Sequence, residues 1–313
     1  MKHPRSCRNA LRWLGVLALV AWTASCSRRE PAPAPYFPPP GNGELSVMSY
    51  NLRMYRNIDR DNDGQEDDFK PDTEINPLIE VIRRANPDIL VLQELGDAST
   101  LTDLRNRLRA AGLDYPHYNH LDIAASYVTL GLLSRYPITG SEPLTNLFYS
   151  IQGRTFPVLR GFQQVDIEAG GATFRIVNVH LKAKTFHEAG QTEMRRNEAR
   201  LLATQLRRLE REHPGKPTLV CGDFNDAYSS AAMRELIAQD NLALADLPLA
   251  DPQGDRWTHY YQREDGYARI DYMLVNPAMQ ARWIEGKSGV IRDSLTYRAS
   301  DHRPIFAVFQ IKD

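Results

Sequence analysis

Residues 217–226 read PTLVCGDFND. Thr218 to Cys221 form a short apolar, β-prone run, the signature of a buried strand. The run then stops at Asp223 and Asn225, which are two apart and in extended geometry point to the same side. A strand that packs along its body and ends in a carboxylate and an amide places chemistry on the rim of a sheet. The same event recurs along the chain. LSVMSYN (45–51) ends in Asn51, and PDILVLQE (87–94) ends in Glu94. GFQQVDIEAGGATFRIVNVHLKA (161–183) reads as a hairpin through Gly170 and Gly171 whose second strand ends at His180. ARIDYMLV (268–275) and RPIFAVFQI (303–311) are late strands flanked by Asp271, Asp301 and His302. Helical spacing lies between them, at 74–85, at 99–112 with Ser99 as N-cap and Gly112 as stop, and at 190–213. One polar strand end is a turn residue. Eight with metal-ligand and acid–base chemistry argue for a shared site.

Asn51 and Glu94 offer hard oxygen donors, which Asp301 and Asp223 can join, and such a set suits Mg²⁺ or Mn²⁺. No cysteine cluster accompanies the histidines, which disfavours structural zinc. His180 and His302 can exchange protons with a reacting oxygen near neutral pH. No Ser-His-Asp or Cys-His arrangement and no phosphate-binding glycine loop stands out.

Seven motifs occur in one order: SYNLR, LQEL, GLLSRYPI, NVHLKA, GDFND, RIDYMLV and SDHRPI. In this they resemble the endonuclease/exonuclease/phosphatase superfamily over roughly residues 45–311. The resemblance implies a four-layer α/β/β/α sandwich with two facing mixed β-sheets, and metal-dependent attack of water on a phosphoester. It implies metal ligation by Asn51 and Glu94, with Asp301 as a metal or water partner. His180 would hold a phosphate oxygen, Asp223 would position or deprotonate the water, and Asn225 would stabilise the transition state. His302 would be the second catalytic histidine, oriented by Asp271. Whether Asp223 or His302 is the base stays open. Arg160, in VLRGF, stands near a position where the family often has a substrate-facing arginine, and Lys182 and Lys184 are candidates for the substrate rim.

The amino end has a different character. Lys2, Arg5, Arg8 and Arg12 precede the apolar run WLGVLALVAW, and Ala24 and Ser25 precede Cys26. Residues 1–26 therefore read as a secretory signal that resembles a bacterial lipobox, with ordinary signal cleavage as the alternative. Export to the periplasm or medium follows, with a membrane anchor if Cys26 carries lipid. The proline-dense stretch 27–43 reads as an extended linker and 44–313 as the catalytic domain, expected to be monomeric. Cys221 is the one cysteine in that domain, so no internal disulfide forms there. Residues 1–30 hold six of the 38 basic residues and one of the 39 acids, so from residue 31 onward the balance is 32 − 38 = −6. That sign is opposite to the one expected of a tight, non-specific polyanion binder.

IDRDNDGQEDD (58–68) resembles a calcium loop, with Asp59, Asp61 and Asp63 in register. Its twelfth position from Asp59 is Lys70, so it is no EF-hand; a Ca²⁺-binding turn outside that class remains open, as an accessory beside the site. The preferred substrate class is a phosphodiester, nucleic acid or a smaller ester. Alternatives are a phosphomonoester, a phospholipid or sugar-phosphate diester, and a non-catalytic, calcium-dependent surface binding module. His117, His120, His187, His213 and His259 read as surface or loop residues. The arginines of 191–211 read as a solvated face laced with glutamates.

Overall fold

Alternation along two strands sets the layers. In Glu44–Tyr55, Leu45 and Val47 face one core, while Met48, Tyr50 and Leu52 face another. In Thr218–Asp223, Leu219 and Cys221 join the core shared with Leu45, while Val220 points to a third. A strand presents alternate residues to opposite faces, so each of these strands is covered on both sides. The computed structural model describes residues 33–123, 126–237 and 242–312. Among these residues there are two six-stranded sheets, and their inner faces pack against each other. Helices Asp72–Ala85 and Ala98–Ala110 cover the outer face of one. Helices Gln191–Glu212 and Ala231–Ile237 cover the outer face of the other. The architecture is the expected α/β/β/α sandwich.

Each sheet is mixed, and its mixture places the rim. Glu44–Tyr55 runs parallel to Ile89–Leu95, and Ala172–His180 runs parallel to Thr218–Asp223. The ends of these four strands carry Asn51, Glu94, His180 and Asp223. Their antiparallel neighbours, Ile305–Gln310 and Asp271–Val275, begin where the parallel pairs finish. The segment 301–302 and Asp271 therefore meet the same rim from the opposite chain direction. A buried amide chain ties the sheets together: Gln93 Nε2 donates to Asn178 Oδ1 at 2.7 Å, and Asn178 Nδ2 donates to the Leu92 carbonyl at 2.9 Å.

Two local expectations change. Asp97, not Ser99, caps its helix, because its carboxylate accepts from the backbone N–H of Ser99 and Thr100. The proline-dense stretch is not free to its end. The Phe37 ring stacks on Phe306 at 4.9 Å, and Arg84 lies over the Tyr36 ring, so these two aromatics bind the segment to the domain. The signal, Cys26 and the first part of the linker lie outside the described residues.

Gly222, one residue before Asp223, has φ +138°, and a Cβ there would lie 2.0 Å from the Val179 carbonyl oxygen. The strands carrying His180 and Asp223 approach this closely only because the residue has no side chain. Gly222→Ala is expected to destabilise the fold by about 3 kcal/mol or more, read as a fall in the urea midpoint.

Candidate active site

Sheet register assembles the first row. The Cα of Asp223 is paired with His180 on one side and Asp271 on the other. His302 closes the row, with Nδ1 2.9 Å from Asp271 Oδ2 and Nε2 3.8 Å from Asp223 Oδ2. His180 Nε2 lies 3.5 Å from the same Asp223 oxygen and 3.9 Å from Glu94 Oε1. The facing sheet contributes Asn51, whose Nδ2 donates to Glu94 Oε1 at 3.2 Å and to Asp223 Oδ2 at 3.1 Å. Asn225 donates its backbone N–H to Asp223 Oδ1 at 2.8 Å, and its Nδ2 to the Leu181 carbonyl at 3.0 Å. Glu94 and Asn225 both adopt positive φ, +63° and +54°. Side chains rarely accept that backbone, and surrounding bonds must hold it. The Met54 N–H, bonded to Glu94 Oε2 at 2.9 Å, is one such bond.

Further residues hold these groups in place. Ser300 Oγ donates to the Asn51 carbonyl at 2.8 Å and accepts the His302 N–H at 3.0 Å, joining two parts of the site that are 249 residues apart. The buried hydroxyl of Thr258 accepts from the N–H of Asp271 at 3.1 Å. The turn after Asn51 is braced from the acidic segment and just beyond it. Lys70 Nζ donates to the Arg53 carbonyl at 3.2 Å, and Arg60 donates to the Met54 carbonyl at 3.0 Å.

The two histidines are driven in opposite directions. Burial, reinforced by the charges of Arg160 and His302, holds His180 well below its ordinary value, so it is neutral at pH 7. Burial alone would also lower His302. The Asp271 charge and hydrogen bond, with Asp223 and Asp301, outweigh it and hold the ring well above its ordinary value. Burial raises the Asp223 carboxyl, as do the negative charges of Asp271 and Glu94, against the opposing His302. Crowded, partly uncompensated carboxylates beside an amide oxygen donor are a fitting environment for a divalent cation. Among the described residues, ligand atoms of Asp223, Asp271 and His302 also lie within 4.8 Å of one another.

Several residues have partners that only distant pairing supplies. Asp301 belongs to a second group with His259 and His302: His259 Nε2 lies 3.8 Å from its carboxylate, and Arg53 Nε lies equally far. His259 was expected to be an isolated loop residue. Its ring centroid is 4.7 Å from that of His302, a proximity with no local signal because it depends on pairing between 259 and 302. His120 is likewise engaged, with Nε2 2.8 Å from Thr129 Oγ1. In the acidic segment Asp59 and Asp61 converge with Asp68, not with Asp63. The Asp63 carboxylate instead accepts from Gln65, because the chain folds back through the Ile58–Asp68 bridge. Asp271 is held by His302, while Arg269 pairs with Asp246.

The helix 191–212 is only partly a solvated face. Arg196 and Arg200 do pair with Glu235 at the surface. Arg195 is buried, bonded to Asp226 at 2.9 Å and to the Lys182 carbonyl at 3.0 Å. Glu198 is buried too, accepts the Lys182 N–H at 2.6 Å, and is pushed up to about 7 by burial. These two turn inward to hold the segment after His180, which amphipathic spacing alone does not reveal. Lys182 Nζ donates to the carbonyls of Ala183 and Thr185, so it is occupied within its own loop. Arg160 donates to the Leu181 carbonyl at 3.1 Å, leaving its buried Nε without a partner.

A model of the endonuclease/exonuclease/phosphatase family matches residues 48–302. No curated protein matches the chain. Among solved structures, an endonuclease/exonuclease/phosphatase from Bacteroides vulgatus is similar at 19% identity, with 86% of this chain and 99% of that one covered and a TM-score of 0.59. The human Nocturnin catalytic domain with bound sulfate is also 19% identical, with 85% and 94% covered and a TM-score of 0.60. A humanized D. rerio TDP2 with 14 mutations is 18% identical, with 85% and 99% covered and a TM-score of 0.58. At these identities the likeness is one of fold.

Asp271→Asn removes the charge that does most to raise the His302 imidazole. The His302 ring is therefore expected to titrate at lower pH in this variant than in the wild type. Titration of its ring carbon-bound proton by NMR reads this without reference to turnover, and an unmoved midpoint rejects the assignment.

Proposed function

The chain belongs to the endonuclease/exonuclease/phosphatase family and is a phosphoester-hydrolysing enzyme. We propose that it cleaves a phosphodiester by attack of water, with Mg²⁺ or Mn²⁺ as cofactor. One observation carries the reading. The Asp223 carboxylate lies 3.5 Å from an imidazole held neutral and 3.8 Å from one held charged. Two titratable partners pushed apart around one acceptor are the arrangement needed to move a proton in one direction.

In this reading Asp223 accepts a hydrogen bond from the attacking water and orients it. His302, kept charged by Asp271, directs its Nε2 proton at a phosphoryl oxygen. Neutral His180 and the Asn225 amide donate to the non-bridging oxygens, where negative charge grows in the transition state. Asn51 and Glu94 would hold the divalent ion, with Asp301 as a further partner. Bound there, the ion would offset phosphate charge and lower the cost of bringing an anion among carboxylates. The amino end supports a further reading, that the enzyme is exported and, through Cys26, attached to a membrane. Cys26→Ser is then expected to move the protein from the membrane fraction to the soluble one.

The test compares bis-p-nitrophenyl phosphate with p-nitrophenyl phosphate in Mg²⁺, Mn²⁺ or Ca²⁺. Faster release from the diester is expected, with His302→Ala lowering kcat by about 10²–10⁴-fold. Preference for the monoester would reverse the substrate order. No hydrolysis of either ester, or of DNA, under any of the three ions would remove the catalytic reading altogether.

A further inference from the structure

Residues 34–37 precede the first strand, in the stretch whose prolines mark it as a tether, yet they reach both ends of one segment of the site. That segment runs from Asp293 to Phe306 and carries Ser300, Asp301 and His302. At its start Asp293 caps helix Ser294–Ala299, accepting the Leu295 N–H at 2.8 Å. The Asp293 carboxylate is also paired with Arg84. The Arg84 guanidinium lies 4.1 Å from the centre of the Tyr36 ring, and it donates to the Tyr36 hydroxyl at 3.1 Å and to the Ala34 carbonyl at 3.0 Å. At the other end Phe306 receives the Phe37 ring in a stack with 7° between the planes. Gly289, paired with Phe306, makes room for that ring: a Cβ there would lie 3.0 Å from it. Between the two ends the helix passes into the site through Ser300. Its N–H donates to the Thr296 carbonyl at 3.0 Å, and its hydroxyl joins the Asn51 carbonyl to the His302 N–H.

We propose that Tyr36 and Phe37 are positioning residues for the reaction, clamping the segment 293–306 at both ends so that Asp301 and His302 stay where the chemistry needs them. The inference rests on the phosphodiesterase reading above. A helix of six residues has little stability of its own and takes its direction from its cap and its packing. Here the cap carboxylate is tied to Arg84, and Arg84 is covered by the Tyr36 ring. The two ring contacts fall on either side of Ser300–His302 in the chain. One contact alone would leave the segment free to pivot; two oppose the pivot. A spacer needs only length and solvation, as the exposed Pro38 and Pro39 beside these rings provide. Tyr36 and Phe37 act through Asp293 and Phe306 and so govern where His302 sits. A displacement on the order of 1 Å at a reacting group costs up to about 10²-fold in rate.

The experiment uses the full chain with Mg²⁺ and follows bis-p-nitrophenyl phosphate well below the unfolding transition of every variant. Tyr36→Ala/Phe37→Ala is expected to lower kcat by about tenfold or more with KM within about twofold, as displaced reacting groups would give. Phe37→Tyr keeps the stacked ring and is expected to keep kcat within about twofold of the wild type. Leu104→Ala, a cavity in helix Ala98–Ala110, supplies the purely structural comparison: the urea midpoint falls while kcat stays near that of the wild type. An unchanged kcat in the folded double variant, or an equal fall in Leu104→Ala, overturns the proposal. If the double variant does not fold, Phe37→Leu, which keeps the apolar volume and loses the flat face, decides: kcat is expected to fall, and an unchanged kcat overturns. The carbon-bound ring proton of His302 is followed by NMR on the same samples. Its resonance is expected to shift in the ring variant and to stay in Leu104→Ala, and an unmoved resonance overturns the proposal even where no ester is cleaved. Absence of turnover in the wild type would count against the phosphodiesterase reading, while the resonance judges the clamp.

Discussion

The side-chain amide of Asn51 lies between two carboxylates that belong to different sheets, Glu94 beside it and Asp223 across from it. That contact can form only if the two sheets face each other with their strand ends level. The packed layer of Val47, Val91, Ile176, Leu219 and Met273 between them sets the distance. The Gln93–Asn178 hydrogen bond fixes how one sheet slides over the other. Buried polar pairs of this kind contribute only about 1 kcal/mol each to stability, yet a mispaired alternative would leave the same groups unsatisfied. Their main effect is to specify one arrangement.

The site concentrates acids where water is scarce. Asp223, Asp271 and Asn51 are nearly fully buried, and Glu94 is largely so. Such groups disfavour the folded state unless partners compensate them, and here the partners are a charged imidazole and backbone N–H groups. The positive φ of Glu94 and Asn225 adds local strain in the same place. Strain and crowded charge are what a stability-optimised fold would avoid. Their collection at one rim, with the apolar strand bodies left regular, is how a rigid scaffold supports a reactive edge. The acidic segment 58–68 fits this picture as a neighbour of the site. Through Arg60 it holds the Met54 carbonyl, and the Met54 N–H holds Glu94.

Much of this was readable one segment at a time. The hairpin through Gly170–Gly171, the long helix at 191–212 and the strand ending at Asp223 follow from periodicity and turn residues, which are local properties. What escaped was anything whose meaning depends on a distant partner. His259 looks like a loop histidine until the 259–302 bridge sets it against His302. Arg195 and Glu198 look like members of a charged face until the turn after His180 packs on them. Tyr36 and Phe37 look like part of a tether until Phe306 gives one of them a stacking partner.

The sequence by itself determined the chemical inventory: apolar strand bodies, polar strand ends, and the residue types able to bind a cation and move protons. These depend on neighbours within a few positions, where side-chain direction is set by the backbone alone. Only the tertiary structure decided which ends meet, and which histidine is neutral and which is charged. The reason is physical. A pKa belongs to the groups brought within a few ångströms, and those groups come from strands and loops up to 249 residues apart in the chain.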